Sequence, residues 1–315
     1  MPARPLRFGV QTSPQNTTWE ELVGLWKEID ALGYDTAWTF DHFMPIFTDP
    51  KGPCFEGWIA LAALAAHTRR VRVGTLVTGN TYRNPAILAN MAATLDHATG
   101  GRLEFGIGAS WFKTEHDAYN VPFPSIGTRL SMLDESLRII RAMWTEKAPS
   151  FEGKHYRIHE AFCEPKPVQK PHPPILIGGV GEKKTLRLVA RPAQIWIGFG
   201  SPEEFRRKIG ILADHCKAEG TDVDAIEKSV LIGVTVTDDR EKVRRIVARE
   251  SKRRGLPEEE AQQWVLAGNP DEVAAQVQAF AAAGVTHIIA MAFAPFAQQI
   301  ESIRRLAREV MPRFR

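Results

Sequence analysis

VRVGTLVTGNTYRNPAILANMAATLDHATGGRLEFGIG, residues 71–108, holds one complete repeat of the fold. It opens on an apolar run, VRVGTLV, and closes on a second one, RLEFGIG. Between them lies a helix-like stretch, NPAILANMAATLDHATGG, with Pro85 in its first turn and Gly100–Gly101 at its end. Proline suits a first turn, where its missing N–H leaves no bond unmade, and glycine suits a helix stop. The two apolar runs do not alternate with polar residues, which marks strands buried on both faces, as in a parallel sheet covered by helices. Strand, helix and strand of this kind form a β-α-β unit.

The same rhythm extends in both directions. Upstream stand LRFGVQT and YDTAWTF, separated by TWEELVGLWKEIDALG. In that helix Leu22, Leu25 and Ile29 recur at helical spacing, Thr17 or Thr18 is the N-cap, and Gly33 is the stop. FEGWIALAALAAHT is a second helix, and RLSMLDESLRIIRAMW another after the quoted repeat. Downstream the strands are PILIGG, AQIWIGF, SVLIGVTV and VTHIIAMA, with helices near 182–190, 202–218, 240–253, 271–283 and 296–309. Eight strand candidates, each usually followed by a helix, predict a (β/α)8 barrel formed by one domain over residues 1–315. A doubly wound sheet would carry G-x-G-x-x-G after its first strand, and FGVQTSPQ does not supply it. Residues 149–174, with six prolines, interrupt the repeat; they read either as a flap over the barrel mouth or as a stiff connection between its halves.

Composition narrows the class. Hydrophobic content of 44% and charged content of 24% describe a globular chain with ample core, and a net charge of +3 without a basic stripe argues against nucleic acid as partner. Cys54, Cys163 and Cys216 are odd in number and lack C-x-x-C spacing, so neither a disulfide framework nor a zinc site is expected, and a reducing cytoplasm is. The longest apolar stretch, WIALAALAA, is half of what a bilayer span needs, so no membrane partner is expected.

A (β/α)8 barrel presents its chemistry at the C-terminal ends of its strands. There this sequence places Asp41-His42, then TGNTYRNP, GASWFKTEHDAY and GGVGEKKT. These segments, together with FDHF and residues 74–112, resemble the bacterial luciferase-like superfamily, more narrowly its branch using the deazaflavin coenzyme F420. The resemblance covers most of the chain and weakens after about residue 220.

The resemblance implies the following. A non-proline cis peptide at Leu76–Val77, in a bulge of strand 3, backs the coenzyme's central ring, with Thr78, Gly108, Ala109 and Ser110 beside it. His42 stands where hydride leaves or arrives, as general acid or base, and Asp41 orients it or bonds the pyrimidine side of the coenzyme. Gly178, Gly179 and Gly181 open a phosphate-holding turn, with charge from Lys183 or Lys184. Phe43 and Trp111 are expected to face the substrate, while His116 and Tyr119 either face that pocket or the coenzyme or sit on a surface helix. Sugar-phosphate dehydrogenases of this branch carry a Glu where this chain has Trp111, and a Trp where it has Ile46, which argues against glucose 6-phosphate and for a flatter, more apolar substrate surface. The expected partner is thus a small-molecule substrate, with homodimerisation usual among relatives and no metal. The alternative cofactor is FMN in a monooxygenase fed by a separate flavin reductase. A non-catalytic cofactor-binding barrel is the reading from outside enzymology.

Overall fold

The computed structural model describes residues 5–293 and 296–315. In chain order its elements are β1 (Arg7–Thr12), α1 (Trp19–Ala31), β2 (Thr36–Thr39), α2 (Gly57–Ala65), β3 (Arg72–Thr75), β4 (Thr78–Gly79), α3 (Pro85–Ala98) and β5 (Phe105–Gly108). A short α4 (Lys113–Ala118) and the long α5 (Ile126–Thr145) follow, then a hairpin of β6 (Phe151–Glu152) and β7 (Arg157–Ile158). The second half runs β8 (Ile175–Gly178), α6 (Thr185–Ala190), β9 (Ile195–Gly198), α7 (Pro202–Glu219), β10 (Glu227–Val236), α8 (Arg240–Arg254), α9 (Glu258–Ala261), β11 (Val265–Gly268), α10 (Pro270–Ala282), β12 (His287–Ala292) and α11 (Ile300–Arg305).

All barrel strands pair in parallel, in the order β3-β2-β1-β12-β10-β9-β8-β5-β4. The two ends of that path, β3 and β4, are halves of one stave split at Leu76–Val77, so the sheet closes on itself. The eight expected staves are therefore present. A further strand, β11, pairs beside the C-terminal half of β10, from Gly233 opposite Val265 to Val236 opposite Gly268.

Two cores result from the closure. Inside the barrel Trp38, Leu76, Leu176, Ile195, Ile197 and Ile289 pack together. Outside it, residues such as Phe8, Val10, Leu88 and Phe105 meet the apolar stripes of the helices. On α1 that stripe is Leu22, Leu25, Trp26 and Ile29, each worth about 1.5–3 kcal/mol when fully buried. Thr18 is the N-cap of α1: its side chain accepts from the Glu21 amide while the Glu21 carboxylate accepts from the Thr18 amide. At the N-terminal base of the barrel Arg7 bridges Glu104 and Glu227, Arg72 shares Glu104, and His287 Nδ1 lies 2.8 Å from Glu227.

Residues 149–174 clad the outside of α3 and α5. The amides of Lys154, His155 and Tyr156 all donate to the carboxylate of Glu135 on α5, Lys166 Nζ donates to the Met143 and Glu146 carbonyls, and Gln169 bonds Asp96 at the end of α3. These bonds fasten the segment to α3 and α5, and none of its hydrogen bonds reaches His42 or Glu115 among the described residues. No helix of the described residues is long and apolar enough to cross a membrane.

Candidate active site

His42 leaves the end of β2 and turns its Nδ1 onto Glu115 of α4, 2.8 Å away. Glu115 is fully buried, and its carboxylate also accepts from the Phe43 amide and, at 2.7 Å, from the Tyr82 hydroxyl. Burial alone would push this carboxyl up; the hydrogen bonds from His42, Phe43 and Tyr82 outweigh it and hold Glu115 below the usual carboxylate range. A carboxylate only accepts, so the shared proton sits on Nδ1 and a neutral His42 carries its lone pair on Nε2. Nε2 has no hydrogen-bond partner among the described residues. Phe40, Trp111 and Phe112 meet the imidazole edge-on, with centroids 5.0, 5.8 and 5.8 Å away.

Asp41 does something else. Its two oxygens accept from Arg83 at 2.6 and 3.0 Å, and Thr78 Oγ1 donates to the same carboxylate while receiving Trp58 Nε1 at 3.0 Å. Arg83 also pairs with Glu56. The expectation that Asp41 orients His42 is corrected here: Asp41 is spent on Arg83 and Thr78, and Glu115 is the orienting carboxylate. The hydroxyl of Thr78 is likewise spent within the protein.

The Leu76–Val77 peptide is cis, as expected. The Val77 side chain lies against the glycines of the next staves. A Cβ on Gly108 would come within 2.8 Å of a Val77 methyl, and one on Gly178 within 3.0 Å. Their missing side chains are what give the bulge its room.

Past β5 the chain turns at Ser110, whose φ is 64°. Ser110 Oγ lies 2.8 Å from Thr81 Oγ1, which lies 2.6 Å from His116 Nε2, and His116 Nδ1 donates to the Phe112 carbonyl at 2.8 Å. Ala109 O accepts from Arg129 Nε at 3.0 Å. His116 is fully buried between the rings of Tyr82 and Phe123, so its expected place on the substrate surface is corrected. Its two nitrogens are taken up in anchoring the loop. Phe43 lies 5.3 Å from Tyr119, and Trp111 stacks on Phe47 at 5.6 Å and 18°.

Across the barrel, β8 ends in Gly178-Gly179-Val180-Gly181. The carbonyls of Gly179, Val180 and Glu182 are held by Trp196 Nε1, Lys208 Nζ and His215 Nε2 at 2.8, 3.5 and 2.8 Å. The amides of Val180, Gly181, Glu182 and Lys183 have no acceptor among the described residues. Gly179 has φ 135°, and a Cβ on Gly181 would stand 2.8 Å from the Thr185 hydroxyl, so the turn requires glycine at both. Lys183 and Lys184 are exposed and outside every ion pair of the described residues, whereas Arg187 is bound to Glu219. Free amides beside free lysines are the donor set for an anion. No cluster of three or more metal-ligating side chains occurs among the described residues.

Sequence reasoning missed Glu115, Tyr82 and Arg83. The signal for Glu115 was the acid of WFKTEH, four residues beyond Trp111.

Residues 5–287 match the model of the luciferase-like monooxygenase family. An F420-dependent glucose-6-phosphate dehydrogenase of Kineococcus radiotolerans is 28% identical, over 99% of this chain and 98% of its own. Among solved structures, an F420-dependent secondary alcohol dehydrogenase in complex with an F420-acetone adduct superposes with a TM-score of 0.84 at 20% identity, covering 99% of both chains. A monooxygenase from Streptomyces bottropensis gives 0.80 at 23%, covering 98% of this chain and 100% of its own. At these identities the two structures attest the fold.

Proposed function

The chain belongs to the luciferase-like monooxygenase family, and from that premise we propose that it is an F420-dependent oxidoreductase moving a hydride between the deazaflavin and a small organic substrate. The observation that carries this reading is the division of the barrel mouth. On one side stands a single imidazole with its Nδ1 fixed and its Nε2 open; on the other stands a glycine turn with four free amides and two free lysines. Full-length relatives named for F420 support the choice of coenzyme.

The residues present fit the coenzyme. The amides of Val180 to Lys183 would hold its phosphate, and Lys183 and Lys184 the anionic tail beyond it. Val77, Thr78, Gly108, Ala109 and Ser110 would back its ring. When bound, F420 supplies the carbon centre that accepts or gives up hydride. His42 Nε2 takes the proton from a substrate hydroxyl during oxidation, or returns one to a carbonyl oxygen during reduction. Glu115 keeps the proton on Nδ1 and steadies the imidazolium that forms. Phe40, Trp111 and Phe112 keep water from the imidazole edge. Asp41 holds the loop through Arg83.

FMN with a separate flavin reductase is the second reading, since the free amides suit any phosphate. Lys183 and Lys184 favour F420, whose charge continues past the phosphate where FMN ends. The test is His42→Ala in enzyme assayed with any substrate the wild type turns over. Turnover should fall by about 10²–10⁴ with F420 affinity and folding retained. Survival of turnover would make His42 structural.

A further inference from the structure

The charges around the mouth are unevenly placed, and this bears on what sits beside His42. The loops leaving β1, β2, β9, β10 and β11 begin SPQNT, FDHFMPIFT, FGSPEE, TDD and NPDE, without a lysine or arginine. On the His42 side Arg83 is paired with Asp41 and Glu56 and Lys113 with Asp117, while Lys51, further along the β2 loop, is exposed and outside every ion pair of the described residues. Glu115 is closed off by its three donors. Gln15 is also consumed, since its amide gives and takes a hydrogen bond with the backbone of Ile46 at 3.1 and 2.7 Å. Two further unpaired cations of the described residues, Lys183 and Lys184, lie at the glycine turn.

Beside His42 stand exposed aromatic rings. Phe47 is 79% exposed and Trp111 53%, yet the two stack on each other at 18°, and Trp111 also meets His42. Phe47 holds a left-handed backbone, φ 62°, which a bulky side chain adopts only where its surroundings impose it. A flat apolar wall against an open imidazole nitrogen recognises a flat apolar ligand with one oxygen to share.

We infer that the substrate is a neutral molecule with a planar, apolar ring bearing its carbinol or carbonyl carbon, the ring lying on Trp111 and Phe47 and the oxygen at His42 Nε2. The apolar faces of Trp111 and Phe47 offer an anionic sugar phosphate no charge to pair with. This rests on the F420 reading and adds the substrate class to it.

The test is calorimetric titration of F420-loaded protein with two probes, acetophenone and glucose 6-phosphate, after F420 loading has been read by fluorescence. Protein that fails to load F420 refutes the coenzyme reading; loaded protein tests the substrate class. Acetophenone should bind, and its affinity should fall at least tenfold in Trp111→Ala and in Phe47→Ala, with folding checked by circular dichroism. Glucose 6-phosphate should give no binding heat. Glucose 6-phosphate binding more tightly than acetophenone, acetophenone failing to bind, or both substitutions leaving its affinity unchanged would overturn the inference.

Discussion

Asp41 and His42 are neighbours in sequence and opposites in use. Asp41 is buried in a network with Arg83 and Thr78, so its removal leaves the half-buried Arg83 guanidinium with Glu56 alone. Asp41→Ala should therefore cost about 3–5 kcal/mol of folding stability, read by denaturant unfolding, while His42→Ala costs clearly less. Equal losses would mean that the two residues share one structural role. Glu115 acts through His42. Glu115→Gln keeps an acceptor for Nδ1 but removes the charge that steadies the imidazolium, so kcat should drop about ten- to a hundredfold while the F420 dissociation constant holds. A fall in F420 affinity with kcat intact would place Glu115 in the coenzyme site instead. That Asp41 and His42 stand together at a strand end was legible in the sequence. Which carboxylate served the imidazole was not, because that depends on how the chain folds back after β5, and spacing alone does not encode it.

The staves and their helices were legible as elements because their signals are local: caps at Thr18 and Asn84, a proline at Pro85, apolar runs without alternation. β11 was not, since four apolar residues beside an existing stave carry no periodicity. The segment 149–174 resisted because prolines announce irregular backbone without saying what it packs on, and Glu135, the residue that pins it, lies in another element. The bulge at Leu76–Val77 depends on glycines two staves wide. Gly108→Ala would drive a Cβ into Val77 and should destabilise the protein by about 1–3 kcal/mol, with a matching loss of F420 affinity, since the same valine is proposed to back the ring. Stability lost without any loss of coenzyme binding would separate the bulge from the site.

At the scale of the whole barrel, the polar plug at its base sets the acid limit. Burial pushes Glu227 up, but His287 and Arg7 pull it down further, to about 2 against an ordinary 4.5. A carboxyl depressed in the folded state stabilises above its unfolded pKa and loses that contribution as pH falls toward its folded one. Stability should therefore decline between about pH 4.5 and 2, and Glu227→Gln should flatten that part of the curve. An unchanged slope would mean the plug contributes nothing to closure. At the mouth, anionic F420 is proposed to lie from the glycine turn to His42. Equilibrium titration of the purified protein with F420 and, separately, FMN, followed by ligand fluorescence, tests it most directly. Saturable F420 binding is expected, weakened by salt and by the Lys183→Ala, Lys184→Ala double substitution, with FMN at least tenfold weaker; tight FMN binding without F420 binding would contradict the F420 reading.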